Sequence, residues 1–361
     1  MNGSISPALI VTGTRPEILK MAPVYQALRR QDVAVSWSHT GQHEQLADQT
    51  FDSFEIEPSF TAIRPKGLHL SGLVAALLQG IEELLHEEPW RMVLVQGDTS
   101  STLAGAMAAF HAQVPLIAHV EAGLRSGNIL SPFPEESNRR IVADLANRHY
   151  APTARAAAAL EREGIDPTLI RVTGNTAVDA QRWLQEKYPM PPSPREEVLV
   201  TIHRRENWPH APEIAAAVAE LARNHSALRF IIPLHPNPEL RARIEPVLQN
   251  IANVELQAPL DYLSLQKVLA GAALVITDSG GLQEEAPSYG VPCLVTRNET
   301  ERPEAVEAGT AELVGHDPAT IVAAGTRWLA SERPLEGKPN PFGDGRAAER
   351  IAADLIGKEA T

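Results

Sequence analysis

Cysteine is almost absent from this sequence, because Cys293 is the only one among its 361 residues. A single cysteine excludes a disulfide within the chain and a metal site built from several cysteines. Cys293 lies in an apolar run, Val291–Val295. We therefore expect a buried thiol on a strand.

Positive charge is also scarce: 32 lysines and arginines stand against 45 aspartates and glutamates, for a net charge of −13. This balance argues against a nucleic-acid partner, which would need a segregated basic surface. No basic segment precedes the first apolar run, Ala8–Val11, and that run is too short for a signal peptide or a membrane span. We expect a cytoplasmic protein with no membrane partner.

The dinucleotide fingerprint G-x-G-x-x-G is missing from the first strand-to-helix turn, which argues against a nicotinamide enzyme. The first apolar strand, Ala8–Thr12, ends instead at the pentapeptide GTRPE (13–17). Its proline predicts a helix beginning at Pro16. Arg15 would lie at the carboxyl end of the strand, where open α/β sheets bind ligands, and Lys20 follows one turn later. Taken alone, each cation is better explained as a solvated surface charge.

Short apolar runs alternate with longer helix-like segments along the chain, and this alternation predicts parallel βαβ units. The length of 361 residues, with 43% hydrophobic and 21% charged, indicates a globular protein of two domains. The strands predicted for the first domain are Ala8–Thr12, Val33–His39, Met92–Gln96, Pro115–Val120, His149–Ala151 and Ile170–Thr173. Those predicted for the second are Glu197–Ile202, Arg229–Leu234, Asn253–Leu256, Ala272–Thr277 and Val291–Thr296.

Four prolines between Tyr188 and Pro194 make a stiff linker, which sets the predicted domain boundary. We expect a first α/β domain at residues 1–188 and a second at residues 195–345. Residues 346–361 follow, and within them Ala347–Ile356 has the spacing of an amphipathic helix. We expect this helix to pack back towards the first domain.

Asp98 and Glu121 are each the first acid after a predicted strand of the first domain. If those strands are neighbours, about 4.8 Å apart, both carboxylates project into one crevice. Two like charges so placed raise the pKa of at least one of them, which suits proton transfer near neutral pH. The alternative for Asp98 is an N-cap for the helix that we predict from Leu103.

A third acid, Glu135, follows the proline-stiffened loop 131–134. Glutamates in a first helical turn compensate the helix dipole, so spacing alone favours a structural role. Arg139 lies four residues on and could pair with Glu135 or orient it.

Two strand ends of the second domain suit an anionic ligand. His203, Arg204 and Arg205 follow the strand at 197–202, and this local positive charge in an acidic chain points to a negative ligand. A Ser-Gly-Gly turn at 279–281 follows the strand at 272–277, and a helix is predicted after it, up to Pro287. Free N–H groups at a helix start can bind a phosphate, which glycines let approach closely. An ordinary βα turn is the alternative.

Together these motifs resemble the non-hydrolysing UDP-N-acetylglucosamine 2-epimerases. They are GTRPE (13–17), TGQH (40–43), GDT (97–99), HVEAGLR (119–125), SPFPEESNRR (131–140), GNT (174–176), HRREN (203–207), TDSGGLQEEAPSYG (277–290) and TERPEAVEAGT (300–310). The resemblance runs in the family's order from about Gly13 to Gly345. It implies a glycosyltransferase-B fold, in which two Rossmann-like domains face each other across a cleft, and a homodimer.

The resemblance also implies a reaction: UDP-N-acetylglucosamine and UDP-N-acetylmannosamine interconvert without metal or nicotinamide. The C2 hydrogen is not acidic, so such enzymes eliminate UDP to give 2-acetamidoglucal and add UDP back with the proton on the other face. This chemistry needs acids around C2, cations for the departing pyrophosphate, and a closed cleft.

Residue roles carry over by motif. The resemblance places Asp98, Glu121 and Glu135 on catalytic acids, His203 on the catalytic histidine, and Arg139 beside the acids. The positions that match nucleotide-binding residues are Arg15, Lys20, His235, Ser279, Gly280, Glu285 and Arg302. Of these, Glu285 would hold the ribose, and Ser279 with Gly280 the phosphates.

Many bacterial members bind a second UDP-N-acetylglucosamine as an allosteric activator. The matching positions are Gln42, Gln45, Glu136, Arg204 and His235. Two departures weigh against this site. An arginine expected near Gly67 is absent, with Lys66 nearby, and Trp208-Pro209-His210 replaces the usual glycine-containing loop.

Three other activities share parts of this pattern. A hydrolysing epimerase would release N-acetylmannosamine and UDP from the same fold. An epimerase of a UDP-2,3-diacetamido uronic acid usually carries a different first motif, so GTRPE argues against it. A glycosyltransferase could share the fold, but acids in three separate motifs exceed the one base it needs. A catalytically inactive sensor fits least, because no expected catalytic residue is missing.

Overall fold

The computed structural model describes residues 5–41, 44–61, 67–190, 195–331 and 334–357. The chain divides into two compact units. The first unit comprises Met1–Trp183 and Gly343–Thr361, and the second comprises Leu184–Phe342. Pro191–Pro194, most of the predicted linker, lie outside the described residues, and the boundaries at 188, 195 and 345 stay predictions.

The first unit is built on a seven-stranded parallel sheet. Its strands are β1 (Ile5–Thr12), β2 (Val33–His39), β3 (Phe60–Thr61), β4 (Met92–Gln96), β5 (Leu116–Val120), β6 (Arg148–Ala151) and β7 (Ile170–Val172), in the order β3-β2-β1-β4-β5-β6-β7. The helices between them are α1 (Arg15–Arg29), α2 (Glu44–Ser53), α3 (Leu70–Glu87), α4 (Ser100–His111), α5 (Glu135–Leu145), α6 (Ala154–Arg162) and α7 (Thr176–Lys187), and α7 spans the boundary of the units.

The second unit repeats this design with six parallel strands. They are β8 (Glu197–Thr201), β9 (Arg229–Pro233), β10 (Val254–Gln257), β11 (Ala272–Thr277), β12 (Cys293–Val295) and β13 (Ala311–Leu313), in the order β10-β9-β8-β11-β12-β13. The helices are α8 (Ala211–Asn224), α9 (Pro238–Leu248), α10 (Tyr262–Gly271), α11 (Gly280–Glu285), α12 (Pro303–Glu307) and α13 (Pro318–Leu329). The last helix of the chain, α14 (Ala347–Leu355), belongs to the first unit.

The order of the strands fixes where each sheet can bind a ligand. In the first sheet, β2 and β3 follow outward from β1 on one side, and β5, β6 and β7 follow outward from β4 on the other. In the second sheet, the strand order reverses in the same way between β8 and β11. Ligands of open α/β sheets bind at such switch points, beside the carboxyl ends of the two strands. The predicted acids and the Ser-Gly-Gly turn therefore follow strands that meet at, or next to, a switch point.

Each of the eleven predicted strands overlaps a strand of the structure. Burial explains the success, because helices cover both faces of a parallel sheet and its strands become continuous apolar runs. The five residues of β4, for example, are all buried. Strands β3 and β13, which the sequence did not reveal, lie at sheet edges and have only two and three residues, Phe-Thr and Ala-Glu-Leu. They lack the β-branched apolar residues that make β7, another short edge strand, recognisable.

Helix α14 is held on the first unit by polar contacts as well as by packing on α1. The buried carboxylate of Asp179 accepts hydrogen bonds from the backbone N–H groups of Ala347 (3.2 Å) and Ala348 (2.7 Å), at the start of α14. Burial raises the pKa of Asp179 to about 6 in spite of these bonds. At the other end of the helix, Tyr150 donates its hydroxyl to Asp354 (3.0 Å).

Within the described ranges, no helix combines the length and the apolar character that crossing a membrane requires.

Three histidines of the first unit are buried where protonation is unfavourable. Burial is the main cause that lowers the pKa of His39 to about 4, of His119 to about 3 and of His149 to about 4. An unfolded histidine has a pKa near 6.5, so below that pH the unfolded chain binds more protons than the folded one. Stability from these residues is complete above pH 6.5 and falls as the pH drops towards 4.

We expect His149→Leu to flatten this acid-side loss of stability. One buried histidine contributes a slope of about 1.4 kcal/mol per pH unit below 6.5, and leucine cannot take up the proton. Urea unfolding at a series of pH values measures the slope. His111→Leu is the matched control, because His111 is exposed and should leave the slope unchanged. Equal slopes in wild type and His149→Leu would contradict the expectation.

Candidate active site

Asp98 is held by an arginine from α5. Its carboxylate accepts from Arg139 Nε at 2.8 Å and lies 2.6 Å from Nη2, and its backbone carbonyl accepts from Asn138 Nδ2 at 2.8 Å. The capping alternative for Asp98 is wrong, because Thr99 is the N-cap of α4: its hydroxyl accepts from the backbone N–H groups of Ser101 and Thr102. The helix starts at Ser100, earlier than the predicted Leu103.

Glu121, directly after β5, has an unusual backbone conformation and a lysine partner. Its φ of 63° is in the left-handed region, which costs a residue with a side chain about 1–2 kcal/mol. Its carboxylate, 8% exposed, forms an ion pair with Lys20 of α1 and accepts from Asn175 Nδ2 at 2.9 Å. Strain of this kind is found where the surrounding structure fixes a functional side chain.

Each of these two acids therefore has its own cation. Strands β4 and β5 are neighbours, with Gln96 paired to Val120, so Asp98 and Glu121 do follow adjacent strands as predicted. The structure differs from the expected pair of facing like charges, because Arg139 and Lys20 are paired with the carboxylates. Sequence reasoning missed Asn175, although GNT (174–176) was among its motifs.

The next two acids begin α5 and differ in burial. Glu135 is half-buried at the first position of the helix. Glu136 is fully buried and accepts from the Ser126 backbone N–H (3.0 Å), Arg139 Nη1 (3.2 Å) and Arg140 Nη2 (3.4 Å). Glu136, a predicted activator residue, thus fixes the arginine that holds Asp98.

In the second unit, the buried carboxylate of Asp278 holds the turn after β8. It accepts from the backbone N–H groups of His203 and Arg204, both at 3.0 Å, and from Asn207 Nδ2 at 3.0 Å. The His203 side chain is 45% exposed, so the backbone is fixed while the imidazole stays accessible. Asp278 and Asn207 lie in the motifs TDSGGLQEEAPSYG (277–290) and HRREN (203–207), but no role was predicted for them.

The His203 ring faces that of His235 edge-on, with centroids 6.1 Å apart. Nδ1 of His235 accepts from the backbone N–H of Asn237 at 3.1 Å, which places the proton of the neutral ring on Nε2. Burial lowers the pKa of His235; the charge of Asp278 opposes this effect, and the charge of Arg205 adds to it. His235 is therefore a neutral donor near pH 7.

The predicted phosphate turn leads into α11, whose six residues continue as a 3-10 turn to Tyr289. Ser279 is at the N-cap position and makes no side-chain capping bond. Arg302, 8% exposed, lies against this helix start: its Nε donates to Glu284 at 2.8 Å, and a Cβ on Gly280 would be 2.7 Å from its Cζ. A guanidinium beside a helix N-terminus is a strong anion site.

Glu285, at the end of α11, is oriented by a buried amide from α10. Gln266 Nε2 donates to its carboxylate at 2.5 Å, and the Tyr289 hydroxyl donates to Gln266 Oε1 at 3.0 Å. Gln266 belongs to none of the predicted motifs. The feature that could have identified Gln266 as functional is a polar side chain at a buried position of a helix.

The structure describes some of the remaining residues with predicted roles and leaves others outside its described ranges. Arg15, half-buried, is the first residue of α1. Arg204 lies 3.5 Å from Glu206 and 3.6 Å from Glu301. Gln42 and Lys66 fall outside the described residues, as does the side chain of Gln45.

Two doubly wound parallel sheets, with acids paired to cations at the strand ends of one and an arginine against the helix that follows a strand of the other, define an α/β enzyme with a glycosyltransferase-B-like fold. The family model for UDP-N-acetylglucosamine 2-epimerase matches residues 26–356. The chain belongs to this family and is an epimerase.

Individual relatives agree along nearly the whole chain. The UDP-N-acetylglucosamine 2-epimerase of Escherichia coli (strain K12) is 40% identical over 367 residues, which cover 96% of this chain and 97% of that one. The Neisseria meningitidis UDP-GlcNAc 2-epimerase, solved bound to UDP-GlcNAc, has a TM-score of 0.88 at 35% identity, with 98% and 100% coverage. The Methanocaldococcus jannaschii enzyme, in complex with UDP-GlcNAc and UDP, has 0.84 at 32%, with 97% and 99%.

We expect Gly280→Ala to destabilise the second unit while Gly281→Ala does not. The new methyl group at 280 would push Arg302 off the buried Glu284, at about 1–3 kcal/mol. At 281 the nearest atoms are 3.8 and 3.9 Å away, so that methyl fits. Denaturant unfolding of both variants measures the difference. Equal stability of the two variants would show that Gly280 is not needed for this contact.

Proposed function

We propose that the enzyme interconverts UDP-N-acetylglucosamine and UDP-N-acetylmannosamine by reversible elimination and readdition of UDP. The observation that supports this proposal is that the two units carry different chemical groups. The first unit holds cation-paired acids for proton transfer, and the second holds a guanidinium against a helix start for an anionic leaving group. The Neisseria meningitidis relative bound to UDP-GlcNAc supports the choice of substrate.

The nucleotide would bind to the second unit. Arg302 and the free N–H groups after Ser279 and Gly280 would contact the pyrophosphate, and Glu285, oriented by Gln266, would accept from the ribose hydroxyls. His235 adds a neutral donor from Nε2. These cations and N–H groups would stabilise the negative charge that UDP gains as the C1–O bond breaks.

The acids of the first unit would act on the sugar, and His203 keeps the catalytic role that the family resemblance implies. In the elimination, a carboxylate takes the C2 proton, the C–H electrons form a C1=C2 double bond, and the C1–O electrons leave with UDP. In the readdition, an acid returns a proton to the opposite face of C2 while the UDP oxygen attacks C1. The groups proposed for these proton transfers are Asp98, Glu121, Glu135 and His203. Arg139 and Lys20 balance the charge of Asp98 and Glu121, and Arg15 keeps the nucleotide-binding role that the resemblance implies.

Proton NMR with UDP-N-acetylglucosamine in deuterated water tests this proposal. We expect UDP-N-acetylmannosamine to appear with deuterium at C2, and nearly all UDP to remain bound to sugar at equilibrium. Free UDP and free N-acetylmannosamine as end products would instead show a hydrolysing enzyme. No exchange would contradict the proposed substrate, and the UDP-2,3-diacetamido uronic acid would be tried next. Glu121→Gln, which keeps the shape but loses the charge, is the control that should not incorporate deuterium.

We expect one nucleotide-sugar site per protomer, without the activator site that the resemblance implies. Glu136 is buried and bound by a backbone N–H and two arginines, and the sequence departs from the family's pattern near Gly67 and at 208–210, where the resemblance places other parts of the activator site. Equilibrium dialysis with labelled UDP-N-acetylglucosamine, under turnover, counts the sites. Two sites per protomer would contradict this expectation and support an activator site.

The assembly and the cellular role extend the same proposal. We infer a homodimer that supplies a precursor for polysaccharide synthesis, as the family resemblance implies, and a cytoplasmic location, as the short first apolar run suggests. Sedimentation equilibrium of the purified protein measures the assembly state, and a monomer at micromolar concentration would contradict the dimer.

A further inference from the structure

Glu17 is a buried acid for which the proposed reaction has no role. It lies in the first turn of α1 and is 2% exposed. Its Oε2 accepts from the Gly13 backbone N–H (3.1 Å) and the Thr14 hydroxyl (2.7 Å). Its Oε1 lies 2.9 Å from the Thr99 hydroxyl and 3.1 Å from the Thr102 hydroxyl. One carboxyl group therefore joins the turn after β1 to the start of α4.

Those two segments carry residues of the proposed active site. Arg15 follows Thr14, and Asp98 precedes Thr99. Strands β1 and β4 are the neighbours at the switch point of the first unit, so Glu17 bridges the two sides of the ligand crevice expected there. A change in this bridge would move both segments relative to each other.

The hydrogens around Glu17 can be counted. The Thr102 hydroxyl has one proton, and it lies 2.6 Å from the Gln96 carbonyl oxygen, which can only accept. The Thr99 hydroxyl accepts from two backbone N–H groups, and its own proton can go to Glu17 Oε1 at 2.9 Å or to the Thr102 hydroxyl oxygen at 3.1 Å. The contact between Glu17 Oε1 and Thr102 is then satisfied by a proton on Glu17.

The surroundings of this carboxyl group agree with that count. The groups in contact with it are a backbone N–H and three hydroxyls, all neutral. The charged residues of the adjoining segments are Arg15 and Lys20 on its own helix and Asp98 beside Thr99. Burial, the largest influence, raises the pKa of Glu17 to about 7, and the hydrogen bonds that it accepts from Thr14, Thr99 and the Gly13 N–H oppose this rise.

We propose that Glu17 is a positioning residue that acts as a carboxylic acid, whose proton locks the turn after β1 to the start of α4 and so holds Arg15 and Asp98 in place. This inference rests on the proposed function, in which Arg15 and Asp98 belong to the active site. Loss of the proton removes the bond to Thr102 and loosens the bridge.

Kinetics of three variants test the positioning role. Glu17→Gln has an N–H in place of the carboxyl proton, so we expect kcat within a factor of about three of wild type. Glu17→Ala loses the bridge, and we expect kcat to fall by about 100-fold with a smaller change in KM, because the reacting groups shift. Thr102→Val, which keeps the shape but removes the acceptor, should lie between them. Glu17→Gln as impaired as Glu17→Ala, or Glu17→Ala with wild-type kcat, would overturn the proposal.

The pH profile separates positioning from general stability. With Glu17 ionised above pH 7, wild-type kcat should fall on the alkaline side through loss of the bridge. Glu17→Gln should not show this limb, because its amide does not titrate. An identical alkaline limb in both proteins would count against a proton on Glu17.

Infrared spectroscopy gives a readout that does not depend on activity. The difference spectrum of wild type against Glu17→Gln near pH 6 should contain the C=O stretch of a protonated carboxyl group, which disappears as the pH rises past about 7. Thr102→Val should shift this band to higher frequency, because the proton loses its acceptor. If wild type does not convert UDP-N-acetylglucosamine, the proposed function fails, and the infrared band still decides whether Glu17 holds a proton.

Discussion

Both candidate sites depend on a buried carboxyl group that ties two turns together at a switch point. In the first unit it is Glu17, and in the second it is Asp278, which holds the turn after β8 from the end of β11. A carboxyl group without hydrogen bonds in an apolar interior is very unfavourable. Each turn must therefore present its N–H or hydroxyl groups to the acid, and this requirement fixes the backbone from which the functional side chains project.

The fold and the location of the sites could be predicted because they depend on local sequence. Buried parallel strands are apolar runs, and the turns after them have to carry the ligand-binding residues. Asp98, Glu121, His203 and Ser279 were found for this reason. Strands β3 and β13 were missed because they are short and lack the β-branched apolar residues that are typical of strands.

Contacts between distant residues could not be predicted in this way. Lys20 and Glu121 are 101 positions apart, and Gln266 reaches Glu285 from a helix without a motif. The resemblance assigned Gly280 to phosphate binding, whereas the structure adds a second reason for glycine, the guanidinium of Arg302 packed where a side chain would lie. Glu136 is a second example: the resemblance suggested contact with a ligand, and the structure adds hydrogen bonds from Ser126, Arg139 and Arg140.

The place of α14 in the first unit has a consequence for synthesis of the chain on the ribosome. Helix α14 packs on α1 and is capped by Asp179, yet the whole second unit, Leu184–Phe342, is translated between Asp179 and α14. At about 5–20 residues per second, this interval takes on the order of ten seconds or more. During that time the surface of α1 that α14 covers, and the carboxylate of Asp179, are open to solvent or to a chaperone. The second unit has all its strands before the first unit is complete.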